Sequence, residues 1–280
     1  MFERVKERGF INYYGEQRVG APGSSREVGV RAFDIGKAML QKDYMKAIHL
    51  LMEGTSVRES DDVRRIRKAW KDSNGDPSIT LKAFQGQDIM PREKTVLRGL
   101  NRFPGNPLEA LRYLNHNMRM FYINAYQSYL WNLAASKRMK LYGDKPVVGD
   151  LYFDSNSSDG QRSVKVIKST DQLQQVHISD VVLPLPGYNN IQYPANELGQ
   201  FYQSHLEQDK VTFEKNAVPE STSKGTYRKV IVFPKNMSME RDPEVEDGAK
   251  LSFELPKGCY ATMLLREMMV TTVTRPDYTI

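Results

Sequence analysis

The sequence is poor in the residues that carry most familiar chemistry. A single cysteine, Cys259, excludes an internal disulfide framework and any multi-cysteine zinc site. The four histidines, His49, His116, His177 and His205, lack the paired spacing of a zinc site and read as ordinary surface or helix residues. No G-x-S-x-G elbow, Walker A loop or dinucleotide fingerprint is present. No apolar run approaches the roughly 18 residues of a membrane-spanning helix. The opening MFERVKERGF mixes charge with apolar side chains and has no signal-peptide core. These absences predict a reducing, intracellular setting and no membrane partner. Cys259, in KGCYAT, has no basic neighbour in sequence and reads as a structural thiol. The pair Asp61–Asp62 reads as a helix start rather than a metal site.

What is present is unevenly distributed. The net charge is +6, but residues 1–150 hold 26 Lys+Arg against 17 Asp+Glu, whereas residues 151–280 hold 14 against 17. A basic half suits a polyanionic partner, because phosphate contacts supply most sequence-independent nucleic-acid affinity.

The periodicity divides the chain in a similar way. Gly9–Gly20, GFINYYGEQRVG, is aperiodic and reads as a strand entering shaped loops, followed by a small, polar loop over Ala21–Gly29. Apolar residues three or four apart predict a helix over Val30–Met52, then helices at Asp61–Trp70, Ser78–Phe84 and Met90–Arg102. Another begins at Asn106 with Pro107 as its first helical residue. The strongest helix spans Met118–Tyr142, with Met120, Ile123, Tyr126, Leu130 and Leu133 on one face and Gly143 ending it. Beyond Gly143, β-branched and aromatic runs predict strands at Val147–Phe153, Ser163–Ile167, Asp180–Leu185, Tyr227–Phe233 and Leu251–Leu255. SNSSDG and PLPG read as turns, and Lys215–Gly225 as a polar loop. Helices are predicted at 195–210 and Ala261–Val270. The fold class is α+β.

Three ordered motifs carry a family resemblance. Gly9–Gly20 resembles the N-Y-[FY]-G-x-Q-R-F-G signature of TruD-type RNA pseudouridine synthases, including their eukaryotic counterparts. NAYQSYLWN at Asn124–Asn132, with Ser136–Arg138 as S-x-R, is similar to that family's helix motif. FELPKGCYATMLLRE at Phe253–Glu267 is similar to its C-terminal F-x-L-P-x-x-[SC]-[YF]-A-T-x-x-x-R-E. VVGDLYF and VVLPLPGYNNIQYP fit between them.

The resemblance implies a split catalytic domain of the pseudouridine-synthase type, incomplete here and interrupted by a mixed, helix-rich TRUD insertion domain. Residues 1–20 and 227–280 would be catalytic-domain pieces, and 21–226 the insertion. It implies isomerisation of uridine to pseudouridine in RNA, with no cofactor and no metal. The target base must leave its stack to be reached. By motif position, Asn12 would touch the target nucleotide and hold the site's geometry, and Tyr14 would lie against the flipped uracil. Gln17 and Arg18 would brace the loop or reach phosphate. Lys137, Arg138 and Lys140 are the candidate RNA-binding cations. The implied partners are RNA, with tRNA first and mRNA or snRNA as alternatives, and an N-terminal catalytic segment of the same protein.

Two departures stand out. Val19 occupies the signature's phenylalanine position. The family's catalytic aspartate lies in a K-D-x-x-[AG]-x-T-x-Q motif before the N-Y-[FY]-G string, yet only eleven residues precede Asn12 and no aspartate here has that context. The chain alone is therefore expected to be an inactive part of a synthase. A non-catalytic RNA-binding module, or a structural partner with no RNA affinity, are the competing expectations.

Overall fold

The computed structural model describes residues 1–20, 29–54, 59–154, 163–214, 222–244 and 248–269. The SNSSDG turn, most of the Ala21–Gly29 loop, most of Lys215–Gly225 and Val270 lie outside the described residues.

The chain opens with α1 (Phe2–Arg8), β1 (Phe10–Ile11) and a short α2 (Glu16–Val19). The helix over Val30–Met52 is two helices, α3 (Ala32–Leu40) and α4 (Tyr44–Glu53). Lys42 takes a left-handed φ of 62° between them, and the Asp43 carboxylate caps α4 by accepting from the Lys46 N–H at 3.1 Å. The apolar period continues across this break, so periodicity alone does not reveal it. Next come α5 (Asp61–Asp72), α6 (Pro77–Lys82), α7 (Pro91–Arg102) and α8 (Pro107–Arg112). Ser60, rather than an aspartate, caps α5, and Asn106 caps α8 ahead of Pro107.

The long helix α9 (His116–Tyr142) begins two residues earlier than expected, because Asn115 accepts from the Met118 N–H at 2.8 Å. Gly143, at φ 65°, ends it. Nearly every residue of α9 from Tyr122 to Ala135 is buried, so it is enclosed rather than one-faced. Its first half lies in a helical core with Ile35, Met39, Ile48, Ile66 and Leu97. Its second half lies in another, with Val181, Leu183, Tyr202 and Ile231. α3 crosses α9 so closely that a Cβ on Gly36 would sit 1.9 Å from the Tyr122 carbonyl oxygen.

Downstream lie β2 (Leu151–Asp154), β3 (Ser163–Val166), α10 (Thr170–Leu173), β4 (Val181–Leu185), α11 (Glu197–Gln208), β5 (Thr226–Lys229), β6 (Ile231–Val232), β7 (Lys235–Arg241), β8 (Ala249–Glu254) and α12 (Ala261–Met268). The strand read at Tyr227–Phe233 divides at Val230. β5 continues an antiparallel sheet of order β3-β2-β4-β5, while β6 pairs with β1 through Phe10↔Val232 and Ile11↔Ile231. Val230 joins the two sheets. Its N–H donates to the Val181 carbonyl at 3.0 Å, and its carbonyl accepts from the Asn12 N–H at 2.8 Å. β7 pairs with β8 but escapes sequence reading, since KNMSMER has almost no apolar alternation and buries only Met237.

The two ends of the chain meet. Val5, Phe10, Val232, Met237, Met263 and Leu264 share one small core. The Gly9–Gly20 segment is thus seated against the late strands and α12. Among the described residues, no helix is long and apolar enough to cross a membrane.

Candidate functional site

The segment after β1 is held from two sides. On the α9 side, Asn132 Oδ1 accepts from the Tyr14 N–H at 2.9 Å, and its Nδ2 donates to the Tyr14 carbonyl at 3.0 Å. The Tyr13 hydroxyl meets Ser136 Oγ at 2.9 Å. On the β5 side the central group is Arg228. Its guanidinium donates to the Asn12 carbonyl at 2.8 Å, to Asn12 Oδ1 at 2.6 Å and to the Gly258 carbonyl at 2.8 Å. The same group lies 4.0 Å from the centroid of the Tyr14 ring. Edges of Trp131 and Tyr260 approach Tyr14 at 5.9 and 6.0 Å between centroids. A cation over an aromatic face is attracted by the ring quadrupole, so Arg228 fixes the plane of Tyr14.

Asn12 and Tyr14 line a cleft of about 760 Å³ with Arg228, His177, Phe233 and Lys257. Burial pushes the Tyr14 phenol above its ordinary range, and the nearby cations Arg228 and Arg18 pull it back. Burial likewise raises the Cys259 thiol, with Arg228 opposing.

The expected site residues separate in space. Asn12 is buried with both ends of its amide engaged inside the protein, Oδ1 with Arg228 and Nδ2 donating to the Lys229 carbonyl at 3.2 Å. Gln17 is exposed and folds over Gly15, where a Cβ would meet its Oε1 at 2.5 Å. Arg18 donates to Ser128 Oγ of α9 at 3.4 Å, which braces the loop. Val19, in the phenylalanine position, is buried.

One expectation is corrected. Arg138 cannot serve as an RNA-binding cation, because it is fully enclosed and bonded internally. It donates to Asp150 Oδ2 at 2.7 Å and to the carbonyls of Gly143 and Lys145, both at 2.8 Å. Lys140 is exposed and Lys137 half-buried.

Sequence reasoning missed Arg228, Trp131, Asn132 and Tyr260 as parts of the site. The last three stand inside motifs that were legible. Arg228, in TYRK, has no local signal, since a strand arginine is ordinarily a solvated one.

The cleft thus brings together a buried asparagine, an oriented tyrosine and several cations. The family model described as tRNA pseudouridine synthase D (TruD) matches residues 1–268, and this chain belongs to that family. It is 34% identical over 95% of its length to Pseudouridylate synthase PUS7L of Mus musculus, and 30% identical over 95% to Pseudouridylate synthase 7 homolog of Homo sapiens. Those alignments take in 40% and 42% of the relatives, so the chain spans about two fifths of their length. A crystal structure described as a TruD protein from Methanosarcina mazei superimposes over 95% of this chain and 62% of that one, with a TM-score of 0.72 and 26% identity. The α+β fold is that of the TruD family.

Proposed function

We propose that this chain forms the uridine-holding and RNA-binding part of a pseudouridine synthase, and that it turns over no uridine by itself. The observation that carries this reading is the Arg228 clamp, which joins the Asn12 amide and the Tyr14 ring in the lining of the cleft. The reaction must break an N-glycosidic bond, turn the uracil and rejoin it through carbon. An extruded uracil would stack on the face of Tyr14 turned away from Arg228, with the loop held still by Asn132 and Arg18. The catalytic aspartate would come from a further segment carrying the K-D-x-x-[AG]-x-T motif, which this sequence does not contain. In this reading residues 1–20 and 227–280 are catalytic-domain pieces around a TRUD insertion of 21–226, with β5 bonded into the insertion's sheet. tRNA is the first RNA to test, because the description of the matching family names it.

The test is anisotropy titration of the chain with a uridine-containing tRNA transcript, followed by carbodiimide mapping of that transcript. Binding should be salt-sensitive, Tyr14→Ala should weaken it about tenfold, Tyr14→Phe should leave it near wild type, and no pseudouridine should form. Turnover by the chain alone would overturn the inactivity, and equal affinities for all three proteins would overturn the site. If a chain supplemented with the aspartate segment binds but never turns over, the non-catalytic RNA-binding module is the better description.

A further inference from the structure

The turn between α7 and α8 carries a surface unlike the rest of the molecule. Phe103 and Tyr113 are 36% and 37% exposed, and among the described residues no other Phe, Tyr or Trp is left exposed. A single exposed ring needs no explanation, but these two are neighbours. Their centroids are 6.1 Å apart and their planes meet at 68°, which makes a corner. The Arg102 guanidinium lies 5.6 Å from the Phe103 centroid. Arg98, also exposed, stands one turn earlier on the same face of α7.

These two cations differ from those of α5. There Arg64, Arg65, Arg67 and Lys68 each meet a carboxylate. Among the described residues Arg98 and Arg102 form no ion pair, and the nearby Glu109 is held by Arg112. The backbone beneath the patch is fixed. The Phe103 N–H donates to the Gly99 carbonyl at 2.9 Å, and the Phe103 carbonyl accepts from the Asn106 N–H at 3.1 Å. α7 and α8 pack so closely that a Cβ on Gly99 would lie 2.7 Å from Ala110 Cα. Arg119 of α9 donates to the Arg112 carbonyl at 3.1 Å, which ties α8 to the long helix. The rings are therefore held out to solvent by the fold, and little ordering is left for a ligand to impose.

The patch is also remote from the cleft. His116, just beyond Tyr113, begins α9, and Asn132 on the same helix holds the Tyr14 backbone. At about 1.5 Å of rise per residue, the two places stand roughly 24 Å apart along α9.

We propose that the Phe103–Tyr113 corner is a second RNA contact, separate from the cleft. It stacks an unpaired base of the bound RNA, while Arg98 and Arg102 hold the phosphates beside that base. Paired rings and free arginines suit an anionic strand with flat bases better than an apolar partner. The contact tolerates any base, so it selects RNAs by shape: those that present an unpaired nucleotide at this distance from the uridine. The inference rests on the reading of the chain as RNA-binding, and not on the assignment of Tyr14.

The experiment is anisotropy titration of the full chain with the uridine-containing tRNA transcript. Phe103→Ser with Tyr113→Ser should weaken binding about tenfold. Arg98→Ser with Arg102→Ser should reduce the slope of log affinity against log salt by about 1.4. Adding Tyr14→Ala should multiply the losses, because sites this far apart act independently. Thermal melts should match wild type, since all four side chains are exposed; if the aromatic pair proves destabilising, the salt slope of the arginine pair decides alone. Unchanged binding in both patch variants, with Tyr14→Ala still weakened, overturns the second contact and spares the cleft. Patch losses as stated with Tyr14→Ala unchanged overturn the uridine assignment and spare the patch. No binding by wild type overturns both. A wild-type dimer in sedimentation that the aromatic pair dissolves, with RNA affinity unchanged, would make the patch a contact between copies and overturn the RNA contact.

Discussion

Arg138 offers the sharpest test of how α9 is held at its C-terminal end. Arg138 and Asp150 are 0% and 1% exposed, and their side chains meet at 2.7 Å. The carboxylate also accepts from the Val147 N–H at 3.0 Å, and the guanidinium ties down the carbonyls that follow the helix. Arg138→Met removes the cation and leaves a buried carboxylate without its counter-charge. Breaking a buried pair from one side costs about 3–5 kcal/mol, mostly from the stranded charge. That is a large share of a typical total of roughly 5–15 kcal/mol. With a urea slope of about 3 kcal/mol per M, the unfolding midpoint should fall by roughly 1–1.7 M. Asp150→Leu in the same chain should recover part of this, because the double change strands no charge. RNA affinity of the folded Arg138→Met protein should match wild type. A stability loss below about 1 kcal/mol would refute the reasoning, since it would mean Asp150 is solvated without its partner.

Charge reversal at the exposed Lys140 and half-buried Lys137 should weaken RNA binding and flatten its salt dependence, measured by anisotropy, with stability unchanged. Arg228→Met should raise the Tyr14 phenol further, seen by ultraviolet titration against a Tyr14→Phe background, because a cation that favours the phenolate is gone. Arg228→Lys should rescue RNA affinity only in part, since an ammonium cannot span Asn12 and Gly258 together. Gly36→Ala should destabilise the protein by about 3 kcal/mol in chemical denaturation, because its new methyl meets the Tyr122 backbone rather than a movable side chain. Burial raises the Asp34 carboxyl above the ordinary aspartate range, against the opposing bond from the Arg31 N–H. Its favourable contribution is therefore full below the unfolded value and lost as pH rises through the folded one. Stability measured across the acid range should become flatter in Asp34→Asn.

Much of the molecule could be read in one dimension. Helices with a capping residue, a proline at the first position or a closing glycine lie close to their expected places, because those signals act on the adjacent backbone. Asn106–Pro107 and Gly143 are examples. The ordered motifs also carried tertiary information without revealing its form. Tyr13 meets Ser136, Tyr14 meets Asn132, and Arg138 meets Asp150, so the motif strings are largely the two sides of shared contacts. Their order along the chain was enough to indicate the family.

Sequence patterns could not say which of those residues face a ligand. Lys137, Arg138 and Lys140 are alike as a charge cluster, yet α9 turns one of them into the interior, where Asp150 and the Gly143 and Lys145 carbonyls make its charge tolerable. Nor could periodicity divide Tyr227–Phe233, because the break at Val230 comes from pairing with two different partners, β4 and β1. That division places Arg228 beside Asn12, 216 residues away in sequence, and over the ring of Tyr14. Local propensity is a property of neighbours along the chain, whereas this site is made by a strand changing sheets. Its chemistry existed only once distant backbone groups had found their hydrogen-bond partners.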